Sequence, residues 1–346
     1  MRGRDVTAQG PSDVARALTA DGAARRDRVG FSHAALLYRG GDGDVAQAAA
    51  VARRAMYAGA PLHVAVPGRT MRLLHEALPA LFRPALTSAI LADMAELGRN
   101  PARIIAEGQS FADAHPREQV YCLWEPAWPG RSAAELLEVA THEALCNVAF
   151  RGRAMTVVCL YDTTRLPAEV IGDAERTHPV VISSGPRRDS PAYLGPGRLP
   201  PACDDPLPPP ARDTVSVTFD GQLGQVREFA ANQACAAGLD SGRARDLVLA
   251  VSEIAANALG HAAGGGVVRS WYTGEELVCQ IEDRGHIADP LAGRRRRPAD
   301  ARGGHGLWLV NRVCDLVERR TSAAGTITRL HMRRGPGPRG AGPRGA

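Results

Sequence analysis

The chain contains no lysine: all 42 of its basic residues are arginine. That excludes a P-loop built on a phosphate-gripping lysine, and the strand lysine that eukaryotic-type protein kinases need. Any phosphate contact must come from backbone N–H groups, arginine or a metal ion. Cysteine is sparse and scattered. No two of Cys122, Cys146, Cys159, Cys203, Cys235, Cys279 and Cys314 lie within four residues, so a CxxC metal or redox pair is excluded. Reduced, structural thiols without a zinc site are the expectation. No apolar run approaches the roughly 18 residues of a membrane span. The segment from Met1 to Arg28 is polar and charged, without a signal-peptide core. A cytoplasmic protein with no membrane partner is expected.

What is present is room for two domains, in 346 residues of ordinary hydrophobic content. The net charge is +5, but Arg333, Arg334, Arg339 and Arg344 fall in a Gly/Pro-rich tail after Met332. The rest is close to neutral. The tail carries no aromatic residue or reading helix, so direct nucleic-acid binding is not expected. Between Gly185 and Ala211 lie nine of the 25 prolines. Such a stretch suits neither helix nor central strand and reads as a stiff, extended linker. The expected organisation is a disordered extension (1–29), a first domain (30–184), a linker (185–213), a second domain (214–332) and a disordered basic tail (333–346).

The first domain alternates strand and helix signals. Ala34–Tyr38, Leu62–Val66 and Met155–Tyr161 are short apolar runs. Val45–Ala58, closed by Gly59, together with Arg72–Leu81 and Ala133–Phe150, reads as helix. That rhythm implies an α/β domain with a parallel sheet under helices. In the second domain Gln222–Ala237 reads as a helix, and Ser241 can cap the next. Val267–Tyr272 and Leu277–Glu282 read as a hairpin. Leu307–Leu316 reads as a helix, with strands at Val317–Thr321 and Thr326–Met332. The implied second fold is an α+β sandwich of helices over a mixed, mostly antiparallel sheet.

Three segments of the second domain carry chemistry. Glu253, Asn257 and His261 are four apart, so on a helix they share one stripe of carboxylate, amide and imidazole. Asp283 and Gly285 end a strand-like run. Gly303, Gly304 and Gly306 precede the apolar run that opens at Leu307, where bare N–H groups can face phosphate. Singly, each has a bland reading: an exposed helix carboxylate, a strand-end turn, a loop-to-helix turn. Their co-occurrence in this order favours a nucleotide site without a P-loop. Arg294-Arg295-Arg296-Arg297, between the second and third segments, reads equally as a cationic flap over phosphates or as a solvated charge run.

With those residues in view, 216–332 resembles the GHKL (Bergerat-fold) ATPases, and among them the anti-sigma-factor serine kinases. Glu253, Asn257 and His261 match that family's N box, Asp283 and Gly285 its first glycine box, and Gly304, Gly306 and Leu307 its second. The resemblance implies ATP and Mg²⁺ as cofactors. It implies Asp283 as the acceptor of the adenine amine and Gly285 as the point where backbone nears the ring. It implies Asn257 as the Mg²⁺ ligand and Glu253 as the catalytic base, with His261, Gly303, Gly304, Gly306 and Leu307 lining the nucleotide site. It implies an anti-anti-sigma protein as phosphoacceptor, a sigma factor as sequestered partner, or both. Kinases of this kind commonly dimerise, so a homodimer is an expectation, although the sequence marks no interface.

The first domain resembles a second family, the MEDS sensory domain, from about Phe31 to Val181. The matching segments are Phe31-Ser32-His33-Ala34, Ala92 to Pro101, Trp124-Glu125-Pro126-Ala127-Trp128, His142-Glu143-Ala144-Leu145 through Phe150, and Leu160-Tyr161-Asp162. This resemblance implies a RecA/KaiC-like fold and a small-molecule signal. The P-loop position after Val66 holds only Pro67-Gly68-Arg69-Thr70, which excludes nucleotide there. His33, Asp93, Glu125, His142, Glu143, Asp162 and His178 could line a ligand pocket or bind a metal ion. The commoner role of such residues is to hold a fold together through satisfied hydrogen bonds, and Trp124 and Trp128 read as core or pocket wall. Two other functions stand beside the kinase: a partner-switching module that binds ATP without transferring phosphate, and a sensor histidine kinase using Thr141-His142-Glu143. The second lacks the usual following proline and a dimerising helix pair.

Overall fold

The computed structural model describes residues 30–40, 45–83, 89–183, 187–261, 264–296 and 304–334, without the His261 side chain. The expected disordered extension, residues 1–29, lies outside them. The chain divides into two compact units, Met1–Cys203 and Asp204–Ala346.

In unit 1, β1 (Ser32–Tyr38), β2 (Leu62–Val66), β3 (Ile90–Asp93), β4 (Val120–Trp124), β5 (Met155–Asp162), β6 (Val180–Ile182) and β7 (Arg188–Asp189) form one sheet, ordered β3-β2-β4-β5-β1-β6-β7. Every pairing is parallel except that of β6 with β7. Parallel neighbours need crossovers, and helices supply them. On one face α1 (Val45–Tyr57) lays its alanines against Ala34, Leu36 and Val64. The side chains that alternate with these on β1 and β5, His33, Cys159 and Tyr161, turn instead toward α4 (Ala133–Ala149). Two further helices, α3 (Ile104–Ala114) and α5 (Ala168–Thr177), precede β4 and β6. A reciprocal capping box starts α4: the Glu135 N–H donates to Ser132 Oγ, and the Ser132 N–H donates to Glu135 Oε2.

Two expectations change here. The segment Pro67–Thr70 is not a loop in a P-loop position. Pro67, with φ −61° and ψ 154°, leads directly into α2 (Gly68–Ala77). The proline-rich stretch is not an extended linker throughout. The N–H groups of Ser190, Leu194 and Gly197 donate to Pro179 O, Arg176 O and Ala144 O, and Cys203 is buried, so 187–203 lies along unit 1. Proline removes donors, but the residues between the prolines keep theirs and use them.

Unit 2 sets α6 (Leu223–Ala236), α7 (Ser241–His261) and α8 (Gly306–Val313) against a five-stranded sheet. Its strands are β8 (Val215–Phe219), β9 (Gly266–Thr273), β10 (Glu276–Asp283), β11 (Leu316–Ser322) and β12 (Gly325–Arg333), ordered β11-β12-β10-β9-β8. All four pairings among the described residues are antiparallel, so the sheet is not mixed. Leu247, Val251, Ile254 and Ala258 of α7 pack with Val226 and Ala230 of α6 over Val268, Cys279 and Leu330. The cap of α7 is Asp240 rather than Ser241: its Oδ1 accepts from the N–H groups of Gly242 and Arg243 at 2.8 and 3.0 Å. Helix α8 stops at Val313, three residues early, because Cys314 is extended and the Asp315 carboxylate accepts from the Arg333 N–H and pairs with Arg243.

The other side chains of this sheet form a polar network. Gln280 Oε1 accepts from Arg329, while Glu318 and Glu276 hold the two ring nitrogens of His331 at 2.9 and 3.0 Å. Arg329 Nη2 also donates to Pro208 O, and Arg320 Nε to Asp205 O. The end of the expected linker is therefore part of unit 2. The expected tail also starts later. Arg333 closes β12, and Arg334 bonds Glu275 O and Ala237 O. Residues 335–346 lie outside the described residues. Among the described residues no helix is long and apolar enough to cross a membrane.

Candidate functional site

Unit 2 contains a cleft of about 330 Å³ where α7, the end of β10 and the start of α8 meet. Helix α7 supplies Ile254, Asn257 and Ala258; Asp283 and Gly285 come from the strand end; Gly304, Gly306 and Leu307 come from the turn into α8. Three separated sequence segments thus reach one cavity. The reason is local. The heptad-like apolar residues of α7 bury one face on the sheet, which leaves Asn257 half-buried at the cleft and Glu253 half-buried one turn before it. The hairpin of β9 and β10 delivers Asp283 at its open end, opposite Gly266 and Thr326.

Asp283 is half-buried. Burial raises its carboxyl above the usual aspartate range, and the Gly285 N–H, donating to Oδ1 at 2.6 Å, works against that rise. The Thr326 hydroxyl donates to Gly285 O at 2.9 Å, which fixes the turn after the aspartate. Glu253 does not line the cleft itself; its carboxylate lies against Gly306, where a Cβ would overlap Oε2. Glycine here lets the Glu253 carboxylate rest against the start of α8. Gly304 has φ +76°, a backbone state that side chains disfavour. His261 is the last residue of α7, with its side chain outside the description, and Gly303 lies outside the described residues altogether.

The arginine run divides. Arg294 is buried, in a turn whose Gly293 carbonyl accepts from Asn311 Nδ2 at 3.0 Å, so at that position a solvated charge run is overturned. Arg296 is exposed, and Arg297 lies outside the described residues. Sequence reading missed Thr328, which lines the cleft from β12, and Ile287 and Asp289 of the following loop. Thr328 reaches the cleft through the β10–β12 register, where it sits beside Ile281, two residues before Asp283, and a single sequence does not state that register. The loop residues carried no sequence signal either. Chemically, the cleft offers apolar side chains, one carboxylate, one amide and the backbone of a glycine turn.

In unit 1 the sequence candidates scatter. Asp93 is an exposed cap for a single helical turn. Asp162 holds Gly40 and Thr164. Glu125 accepts from the Tyr38 hydroxyl at 3.0 Å, and burial pushes its carboxyl up to about 7. His142 is fully buried beside Cys146. Trp124 is core, its Nε1 donating to His63, while Trp128 carries the stacked Arg131 guanidinium. His33, Glu143 and His178 come together, and His142 lies with Glu143 and Cys146 in a second buried group.

Comparison with family models matches both units. The MEDS family (methanogen/methylotroph, DcmR sensory domain) matches residues 32–179, and the histidine kinase-like ATPase domain matches residues 216–332. Comparison with curated proteins gives no match. The chain is thus one that joins a MEDS sensory domain to a histidine kinase-like ATPase domain of the GHKL type.

Proposed function

We propose that unit 2 binds Mg-ATP and passes its terminal phosphoryl group to a serine or threonine of a partner protein, under the control of unit 1. The cleft fits a nucleotide by its own chemistry: Ile254, Ala258, Ile287 and Leu307 offer an apolar slot for a base, and Asp283 stands at one end as acceptor for an exocyclic amine. Asn257 is the side chain that would hold Mg²⁺, which takes oxygen ligands and spreads phosphate charge when bound. The bare backbone of Gly304 and Gly306 faces the place where phosphates would lie. The alternation of parallel strands and helices in unit 1 is in keeping with a RecA/KaiC-like fold for the sensor.

The observation that carries the kinase reading is Glu253. Its carboxylate lies one helical turn before Asn257 and against the glycine that opens α8. In the transfer, the bond from the terminal phosphorus to the ADP oxygen breaks and a bond to the acceptor oxygen forms. Glu253 takes the hydroxyl proton. The resemblance to anti-sigma kinases makes an anti-anti-sigma protein the proposed acceptor and a sigma factor the alternative partner, in a soluble, cytoplasmic and homodimeric switch. A histidine kinase is disfavoured, because His142, the phosphoacceptor it would need, is fully buried within α4.

The test is Glu253→Ala in the full chain, with labelled ATP and cognate acceptor. Transfer should fall at least ~100-fold, the usual share of a general base, while calorimetric ATP affinity stays within a few-fold. Equal transfer by both proteins would overturn the role of Glu253. Tight ATP binding with no labelled serine or threonine on any partner would leave a partner-switching module that binds ATP only.

A further inference from the structure

His33 on β1, Glu143 on α4, Cys159 on β5 and His178, just after α5, bring four ligand-type atoms together within 4.8 Å of one another. Each residue is at most 1% exposed. Glu143 Oε2 lies 3.1 Å from His33 Nε2, 3.3 Å from Cys159 Sγ and 3.4 Å from His178 Nε2; Cys159 Sγ lies 3.6 Å from His33 Nε2. Metal–ligand bonds of about 2.0–2.3 Å in a tetrahedron put ligand atoms roughly 3.3–3.8 Å apart. The cluster already has nearly that size.

The hydrogen bonds around it fix the tautomers. Asn147 Nδ2 donates to the carbonyls of Glu143, Ala144 and Thr177, so its Oδ1 must face His33 Nδ1 as an acceptor, and that nitrogen carries a proton. His178 Nδ1 lies 2.8 Å from Ala174 O, a pure acceptor, and carries a proton too. In both neutral rings Nε2 then presents a lone pair to the same carboxylate oxygen. Acceptors do not crowd an acceptor unless a cation stands between them. One proton on His33 would satisfy only that ring: His178 Nε2, buried, has no partner in hydrogen-bond geometry. Two protons would bury two imidazolium rings whose centroids are 4.0 Å apart.

We propose that His33, Glu143, Cys159 and His178 form a closed, four-ligand site for a tetrahedral divalent cation, zinc foremost. The two imidazole nitrogens, one carboxylate oxygen and one thiolate are the donor types zinc prefers. Binding displaces the Cys159 proton to solvent, so the +2 ion meets one carboxylate and one thiolate and the site is neutral overall, as a dry interior demands. The outer contacts are those such a site needs. Asn147 and Ala174 orient the rings, and the Tyr161 hydroxyl donates to Glu143 Oε1 at 3.0 Å. With four protein donors and no opening to solvent, the ion is structural. It fastens β1, α4, β5 and the entry to β6 at one point.

Burial dictates the test, because an ion enters such a site only as the chain folds. The full-length chain is refolded from denaturant and chelator with zinc or cobalt(II), then freed of loose metal by gel filtration. One ion per chain is expected. The cobalt form should show the strong visible bands of a tetrahedral ion and a thiolate-to-metal charge-transfer band. X-ray absorption of the zinc form should show one sulfur and three nitrogen or oxygen neighbours. Cys159→Ser should remove the charge-transfer band, His178→Gln should weaken binding at least tenfold, and Cys146→Ser should leave both unchanged. A wild-type chain that refolds without stoichiometric metal, or a zinc shell with no sulfur or with several, overturns the proposal even if a ligand variant does not fold. So does a charge-transfer band that survives Cys159→Ser or is lost with Cys146→Ser.

Discussion

At Gly306 an added methyl group would run into Glu253 Oε2, the far end of a flexible side chain, and not into backbone. The side chain can swing aside cheaply, so Gly306→Ala should fold with a melting temperature within a few degrees of wild type. The displaced carboxylate is the proposed base, so phosphoryl transfer should fall by about 10²-fold or more. A thermal melt and a labelled-ATP assay on one preparation check both halves. Loss of the fold together with the activity would mean that Gly306 is needed for packing alone. Gly325 is the contrast: its φ is +133°, and an added Cβ would meet the carbonyl of Asp283, a backbone atom that cannot step aside.

Among the elements, α7 was the most legible. Its period placed Glu253 and Asn257 on one stripe, and the apolar residues between them fixed which side faces the sheet. Its cap was misread because Asp240 and Ser241 are both good caps, and geometry alone chose between them. The extent of α8 was hidden because the signal that ends it, the Asp315 carboxylate on the Arg333 N–H, spans 18 residues. The grouping of His33 with Cys159 and His178 was less visible still. It depends on strand order, which a single sequence does not state. Strand β12 makes its own prediction. Burial by itself would lower the His331 pKa, but the carboxylates of Glu276 and Glu318 overcome this and hold it above the ordinary histidine value. A raised folded pKa contributes stability in full below the unfolded value of about 6.5, and that contribution is lost as pH rises through the folded pKa. Denaturant midpoints for unit 2 should therefore drop from mildly acidic to mildly alkaline pH. His331→Gln should flatten that slope; an unchanged slope would refute the assignment.

For the molecule as a whole, the two units differ in what holds their edges. Proline content marked a boundary region, but backbone carbonyls do the docking there, and composition says nothing about them. A fragment starting at Asp204 keeps the carbonyls of Asp205 and Pro208 for Arg320 and Arg329. One starting at Thr214, as the sequence alone would suggest, leaves the buried Arg329 guanidinium short of an acceptor, at a cost of about 1–3 kcal/mol. The shorter fragment should thus unfold at lower urea concentration than the longer; equal midpoints would show that the stretch is ornamental. The thiols carry one more consequence at this scale. Six of the seven are sealed in the interior, and Cys235, on α6 of the ATPase unit, is open to solvent. Evolution has left the chain a single natural anchor for a spectroscopic reporter, on the very half whose nucleotide state one would wish to follow.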